Sequence, residues 1–445
     1  MSPAVATPLD EPVTDAAAPT RSAASPAIEP SISTRPTASS RLRLLPILAL
    51  ALTARLAIIL IVASDNPRKW LFDQSTELTA LAQSLLAGHG LSSPFGGATG
   101  PSAFLAPGYP TVIAALFKIF GTGTVASAIA VMVLQTLFGT ATVLVIMVVT
   151  RRIFGAKEAN LAGSIWALSP AVLWLPALYW ESSLSTLLLI SVIALALRSV
   201  GQPSIFRWAA IGVTSGFTLL VNPSFSITLT AIFAWMIWST YKSRLLTRSG
   251  PVTAVLLGAL IFAPWPIRNL HTMHAFIPMR TNMGYELWQG NGPQSHGFFN
   301  PILHPNINQT EFNRYASLGE LGYMQEKSAL THQAIQADPA RFIRLTLKRF
   351  ACFWTGFSNR PSSFFVLAHI MFTTLFAGVA LVLLIKRRSP VALLFLLPLL
   401  VFPIPYYITH PDFRFRLVLD PIATILTAYA LLNFRAPTLP DSDPA

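Results

Sequence analysis

The chain has 445 residues, of which 53% are hydrophobic and only 11% charged, with a mean hydropathy of +0.56. Soluble globular chains carry about 25% charged residues, so the composition excludes an ordinary soluble domain and describes an integral membrane protein. A net charge of +13 invites nucleic acid as a partner, but most Lys and Arg sit in short segments between apolar blocks, which argues against it. The single Cys352 rules out an intramolecular disulfide, and the eight histidines show no metal-ligand spacing.

Residues 1–40 are rich in Ala, Pro, Ser and Thr without an apolar period, the composition of a disordered tail. They lack the apolar core and small-residue cleavage site of a signal peptide. Apolar blocks then recur at lengths of about 17–25 residues, enough to cross a hydrocarbon core as helix, and lipid leaves helix as the form that satisfies the backbone. Hydropathy predicts about ten spans, near 45–64, 124–150, 158–178, 183–200, 207–221, 224–240, 252–267, 364–385, 390–409 and 416–434. A short tail, 435–445, follows. The fold class is therefore an all-α membrane protein.

Between the spans lie segments of unequal character. The first long loop, 65–123, carries Leu78, Leu81, Ala82, Leu85 and Leu86 at helical spacing, and Gly88 ends that helix. From Tyr109 to Gly121 runs an apolar stretch with Lys118 that is too short to span, which predicts a helix lying in the interface. Counting it as a span would place the basic clusters outside. The second long loop, 268–363, predicts two surface helices, 311–337 and 340–350, separated by Asp338-Pro339. Span seven is expected to end in the Pro264-Trp265-Pro266 break. A loop carrying Asn282, Trp288 and the Gly290-Asn291-Gly292-Pro293 turn comes next.

Loop charges give the orientation. With the N-terminal tail in the cytoplasm, the inner loops hold Arg151, Arg152, Lys157, Arg198, Arg207, Lys242, Arg244, Arg248, Lys386, Arg387 and Arg388 against one acid, Glu158. That bias matches the positive-inside rule and predicts a multi-pass protein of the cytoplasmic (inner) membrane with both termini inside. The long loops and the turn 410–416 then face the exterior. Segment 268–363 is nonetheless basic, with nine Lys/Arg against five Asp/Glu. Topology does not call for those cations, so they predict an anionic ligand.

Ordered along the chain are Asp73 with Glu77 before Leu81-Ala82-Gln83-Ser84-Leu85-Leu86-Ala87-Gly88, then Ala106-Pro107-Gly108-Tyr109-Pro110, Ser169-Pro170, and Glu181 at the head of a span. Pro264-Trp265-Pro266-Ile267-Arg268-Asn269 follows, then Gly290-Asn291-Gly292-Pro293, Asp338-Pro339 before a basic helix, and Phe413-Arg414-Phe415-Arg416. In this order the chain, over about residues 45–434, resembles the GT-C superfamily of membrane glycosyltransferases. It is most similar to the bacterial branch akin to dolichyl-phosphate-mannose protein mannosyltransferases and lipid A aminoarabinose transferases. The resemblance implies transfer of a sugar from a polyprenyl-phosphate donor to a lipid, glycan or protein acceptor at the outer face, usually with inversion. Asp73 is followed by Gln74 where relatives often carry a second acid. Metal need is left open, because relatives differ and no ligand cluster is visible.

Such transfer needs a base for the acceptor proton and cations for the leaving phosphate. Asp73 is the first choice of base, against an N-cap role for the following helix. Glu77 is a second acid, against a favourable first-turn charge. Glu181, which a matching place in the aminoarabinose transferases assigns to the active centre, is a third. Arg268 is expected on the donor phosphate, against anchoring at the interface. Arg414 and Arg416 share one face if their turn is extended, which suits a phosphate. Tyr109, Asn269, Asn291 and Trp288 are candidates for sugar or acceptor contacts, with Asn282 and Trp265 behind them. Arg341, Arg344 and Lys348 form a helical stripe that reads foremost as a contact with membrane lipid headgroups. Arg55, inside span one, is expected to face the bundle in a structural pairing. Two other readings remain at this stage, a lipid-linked sugar flippase or transporter and a polysaccharide ligase or polymerase. The absence of an internal repeat disfavours the transporter.

Overall fold

A computed structural model describes residues 41–357 and 364–434; both tails, and the end of the second long loop, lie outside the described residues. Among those described, six helices are long and apolar enough to cross a membrane: Leu44–Ala63, Val125–Ile153, Ser182–Gly201, Ser249–Met273, Phe364–Lys386 and Val391–Ile408. The protein is an all-α, multi-pass membrane protein.

The chain begins with α1 (Leu44–Ala63), a short α2 (Pro67–Phe72), α3 (Thr76–Leu86) and α4 (Gly108–Phe120). The bundle continues as α5 (Val125–Ile153), α6 (Ala156–Leu168), a four-residue α7 (Pro170–Leu173), α8 (Ser182–Gly201), α9 (Ile205–Val221) and α10 (Ser226–Lys242). Next come α11 (Ser249–Phe262), α12 (Pro264–Met273), α13 (Met283–Asn291), α14 (Gln309–Ala337) and α15 (Pro339–Thr355). The chain closes with α16 (Phe364–Lys386), α17 (Val391–Val401), α18 (Ile404–Ile408), α19 (Phe413–Leu417) and α20 (Asp420–Asn433).

Small residues and a buried arginine explain the packing. Without a hydrophobic drive between helices in lipid, close backbone approach matters. Gly212 of α9 meets α11 so closely that a Cβ would fall 2.3 Å from the Ala254 carbonyl oxygen. At Ser169-Pro170 the helix of α6 breaks, because Pro170 has no N–H for the Trp166 carbonyl. Arg55, fully buried, fills that gap: it donates to the carbonyls of Ala51 (3.0 Å), Trp166 (3.3 Å) and Ala167 (3.4 Å). The bundle-facing structural role expected for Arg55 is the one it has. α20 lies at the centre of the largest apolar core, buried from Asp420 to Ala430.

Two expectations about local structure are corrected. The Pro264-Trp265-Pro266 sequence does not end the span. Both prolines fall in the first turn of α12, where N–H groups have no helical partner anyway, and the helix runs on to Met273 before His274 turns left-handed (φ 51°). The supposed loop 283–291 is a helix too, and Gly290 and Asn291 form its last turn. By contrast, the boundary at Asp338-Pro339 forms as read, with Asp338 accepting the Arg341 N–H at 2.8 Å, but the first of the two helices is interrupted at Gly319 (φ 67°) rather than continuous.

The two long loops meet in one cap. Ala103 N–H donates to Glu320 (2.7 Å), Thr281 N–H to the Ala103 carbonyl (3.1 Å), and Tyr315 OH to Glu320 (2.8 Å). Phe95 and Phe104 of the first loop pack with Tyr285, Tyr315, Tyr323 and Met324 of the second. The turn 409–412 joins them through the α13 end, where Asn291 donates to the Ile408 carbonyl at 2.8 Å. All three therefore share one side of the bundle.

Candidate active site

The short helix α19 separates the two arginines of Phe413-Arg414-Phe415-Arg416. Asp412 caps it, accepting the Arg414 N–H at 3.0 Å. In a helix, positions i and i+2 do not share a face, so the extended-turn expectation fails. Arg416 turns into the bundle, fully buried, where it pairs with Asp420 and donates to Thr374 at 3.2 Å. The other Asp420 oxygen lies 3.6 Å from His369, whose ring also meets Ser169 at 3.0 Å. Arg414 turns the other way and lays its guanidinium on the Trp180 ring, 3.8 Å from the centroid.

Trp180 is followed by Glu181, which stands at the N-cap position of α8 without capping it. Its carboxylate instead faces Arg280 at 3.8 Å. Across from them Glu286 of α13 bonds His410 at 2.8 Å and accepts from Asn282 at 2.9 Å. Burial alone would raise the Glu286 carboxyl; the His410 hydrogen bond and charge, with Arg280 and Arg414 nearby, outweigh that and hold it below the usual carboxylate range. The Tyr109 hydroxyl, buried at the start of α4, is pushed up by burial first, then by Tyr179 and Glu181. The cluster thus joins residues from α4, the α8 entry, the 276–282 segment, α13 and the 410–414 turn.

Unused polar atoms mark this cluster. Arg280 Nε, Arg414 Nε, the Tyr109 hydroxyl and His410 Nδ1 are buried without a hydrogen-bond partner. Buried polar groups are normally paired; Arg414 Nε has the Asp412 carboxylate 3.7 Å away, and Arg55 and Arg416 also have an Nε without a hydrogen bond. Sequence reasoning picked Glu181, Arg414 and Tyr109 and missed Arg280, Glu286 and His410. Asn282 and Glu286 at i, i+4 would have pointed to the last pair had 283–291 been read as helix.

Asp73 lines a separate cleft that includes none of the residues of this cluster. It ends α2 as its C-cap, and Ser75 rather than Asp73 caps α3, accepting the Leu78 N–H at 3.2 Å. Its exposed carboxylate lines an open cleft of about 580 Å³ bordered by α2 and the 174–178 segment. Gln74 braces the cleft. Its amide donates to the carbonyls of Ala177 (2.7 Å) and Trp70 (2.9 Å) and accepts from the Tyr179 N–H (3.1 Å). A carboxylate at Gln74 would have no hydrogen to donate, which accounts for an amide here.

The remaining candidates fasten loops. Glu77 is buried, bonded to His304 at 2.6 Å and to Ser75 at 2.9 Å. Because His304 Nδ1 accepts the Asn306 N–H at 3.2 Å, its Nε2 carries the proton given to Glu77. Burial pulls Glu77 upward, and the hydrogen bonds it accepts from His304 and Ser75 help pull it further down, leaving a lowered carboxyl. Arg268 donates to the carbonyls of Ser102 (2.8 Å) and Leu91 and to Asn269 (3.0 Å), so it ties α12 to the first loop. Asn269 donates to the Ile277 carbonyl at 3.0 Å, and Trp265 is buried on the Met279 carbonyl at 2.6 Å. Trp288 packs under Lys327 and against Gly292.

The basic face of α15 is likewise spent on backbone. Arg341 donates to the carbonyls of Asn291 (2.9 Å), Gly292 (2.9 Å) and Ser295 (2.6 Å), and Lys348 to His296 (3.1 Å). Arg344 pairs with Asp338 at 3.5 Å. The fully buried Arg349 gathers the carbonyls of Gly290, Gly297 (3.2 Å) and Tyr407 (3.1 Å) and the Asn291 side chain (2.9 Å). Burial pushes the Arg349 guanidinium down to about 10, and the charge of Arg341 adds to the shift. Much of the positive charge in 268–363 therefore serves as clamps rather than as a ligand surface. Among the described residues no group of three His, Cys, Asp or Glu side chains comes together as a metal site.

Comparisons with known proteins agree with this architecture. Residues 105–267 match the family described as dolichyl-phosphate-mannose-protein mannosyltransferase. No curated protein sequence matches the chain. Among solved structures, the oligosaccharyltransferase AglB from Archaeoglobus fulgidus, in complex with an inhibitory peptide and a dolichol-phosphate, is similar at 14% identity with a TM-score of 0.54, covering 87% of this chain and 50% of that one. An oligosaccharyltransferase from the same organism, tethered to an acceptor peptide containing the NVT sequon, gives 14% identity and a TM-score of 0.50, over 87% of this chain and 49% of that one. ArnT from Cupriavidus metallidurans in the apo state gives 14% identity and a TM-score of 0.35, over 85% and 76%. This chain spans about half the length of the oligosaccharyltransferase it matches. A segment of the chain thus matches the mannosyltransferase family model, and the described residues share the fold of the archaeal oligosaccharyltransferase.

Proposed function

We propose that the protein transfers a sugar from a polyprenyl-phosphate-linked donor to an acceptor hydroxyl at the outer face of the cytoplasmic membrane, with inversion. The observation that carries this reading is the meeting of two guanidinium groups, Arg280 and Arg414, beside Glu181, Glu286 and Asp412. Two guanidinium groups in a partly dry site hold a leaving phosphate as its charge develops. The archaeal oligosaccharyltransferase of the same fold holds a dolichol-phosphate, a lipid phosphate of the kind proposed here. The charge asymmetry of the short loops supports placing the cap, and with it the site, outside.

Asp73 is the base in this reading. It is exposed on a cleft with room for an acceptor, whereas Glu181 is committed to Arg280 and Glu77 to His304. The acceptor hydroxyl gives its proton to the Asp73 carboxylate as its oxygen attacks the anomeric carbon. The bond from that carbon to the phosphate oxygen breaks, and its electron pair stays on the phosphate, beside Arg280 and Arg414. Attack from the face opposite the phosphate inverts the centre.

Reconstitution with labelled polyprenyl-phosphate sugar, following release of the lipid phosphate, tests the reading. Wild type is expected to turn over the donor, and Asp73→Asn to insert normally and lose turnover by about a hundredfold or more, as a lost general base does. Full activity in Asp73→Asn removes Asp73 from the role. No release by wild type from any polyprenyl-phosphate sugar overturns the donor class.

A further inference from the structure

The cleft beside Asp73 carries features that proton transfer alone does not require. Trp70 of α2 and Trp174, just after α7, lie on its rim with ring centroids 6.0 Å apart and planes 25° from parallel. Both rings are open, 44% and 37% exposed. Asp65, Asn66, Lys69 and Asp73 surround the same opening, all exposed, and none of the three charged ones is in an ion pair among the described residues. Asn66 uses its carbonyl oxygen on the Lys69 N–H at 3.1 Å, which leaves its amide hydrogens free. The Gln74 brace holds both walls at fixed spacing.

We propose that this cleft is the acceptor site and that its ligand is a carbohydrate. The proposal rests on the glycosyl-transfer reading and adds the class of the acceptor. Paired aromatic faces bury the apolar C–H face of a pyranose, while carboxylate, amide and ammonium groups around them match its ring of hydroxyls. The volume of about 580 Å³ falls within the range of about 300–1,000 Å³ of small-molecule sites. Isolated tryptophans at a membrane surface serve as anchors, but anchoring needs neither two near-parallel rings nor unpaired charges around a cavity. A peptide acceptor would look for free backbone partners, and Gln74 has already taken the Ala177 carbonyl and the Tyr179 N–H.

The test is saturation-transfer NMR on the full chain in lipid nanodiscs, with neutral linear trisaccharides of glucose, galactose or mannose as probes and no donor present. At least one probe is expected to bind the wild type. Trp70→Ala and Trp174→Ala are each expected to weaken that binding about tenfold, the size of one lost aromatic contact, and Trp70→Phe to retain most of it. Trp238→Ala, at an exposed tryptophan on α10 outside the cleft, is expected to leave it unchanged and so separates a cleft effect from loss of anchoring. Binding of no trisaccharide to the wild type overturns the proposal. So does binding that survives both cleft variants, or that falls equally in Trp238→Ala. Because the readout needs no turnover, sugar binding in a protein that fails to use any polyprenyl-phosphate donor would leave the ligand class of the cleft standing while removing the transfer reading.

Discussion

Two arginines two residues apart meet opposite fates, and that contrast carries the functional argument at the scale of the residue. Arg414 lies on Trp180 near Glu286, with Asp412 3.7 Å from its Nε; Arg416 is locked to Asp420 inside the bundle. Arg414→Ala is expected to raise the donor KM at least tenfold while the protein stays folded, as loss of a charge-assisted phosphate contact of about 1.5–3 kcal/mol implies. Arg416→Ala strands a buried Asp420 charge, so the expectation is unfolding, at a cost of about 3–5 kcal/mol. Detergent melting curves beside steady-state kinetics check both. An unchanged donor KM in Arg414→Ala would remove that arginine from the phosphate site.

Glu77 sets a pH dependence of its own. Its carboxyl is lowered in the folded protein, so the native state binds fewer protons than the unfolded one and stability rises with pH across the acid range. The contribution is complete above the ordinary carboxylate value of about 4.3 and fades as pH falls through the lower native value. Glu77→Gln is expected to be less stable than wild type at pH 7 by about 1–3 kcal/mol, with the gap closing on acidification. Melting temperatures of the two proteins between neutral pH and about pH 3 measure it, and a gap that widens on acidification contradicts the assignment.

The informative units among the elements are α13 and α15, which together aim the 409–414 turn. Gly290 closes α13 directly under that turn, and a Cβ there would sit 1.8 Å from the Thr409 carbonyl oxygen. No side-chain rotation relieves a clash with backbone. Gly290→Ala is therefore expected to push the turn off α13 and carry His410 and Arg414 out of register. Displacements of about 1 Å near reacting groups cost about a hundredfold in rate, so turnover should drop that far while the cooperative melt persists. Wild-type turnover in Gly290→Ala would mean that the turn does not position the site. Arg349, gathering carbonyls from both sides of this junction, explains why a basic helix lies here without serving a ligand.

The whole molecule consists of a helical bundle with one cap made from both long loops and the 409–412 turn. Hydrogen bonds from Ala103 to Glu320 and between Asn306 and Thr76 require those loops to lie on one side. The charge of the connecting loops predicts that side to be the exterior. In a Cys352→Ser background, a cysteine in place of the exposed His332 on α14 should react with a membrane-impermeant maleimide in intact cells. One in place of the exposed Lys386 at the end of α16 should react only after permeabilisation. The reverse pattern would turn the protein over and move the site to the cytoplasm.

Sequence by itself determined what local chemistry determines. Apolar blocks, sparse charge and lipid's inability to bond an open backbone were enough for an all-α membrane protein. Asp338-Pro339 marked a helix boundary correctly because capping is read within one turn. Glu181 was visible at the head of a span, Arg414 in an outer turn and Tyr109 at the start of an interface segment. Which arginine meets which partner was decided only by tertiary structure. Arg268 looked like a phosphate ligand until the first loop was seen to lay the carbonyls of Leu91 and Ser102 against it. Arg280, Glu286 and His410 carried no motif, and they matter because α13, the 276–282 segment and the 410–414 turn converge. A guanidinium is a ligand or a clamp according to whether carbonyls from distant parts of the chain reach it first, and that is a property of packing.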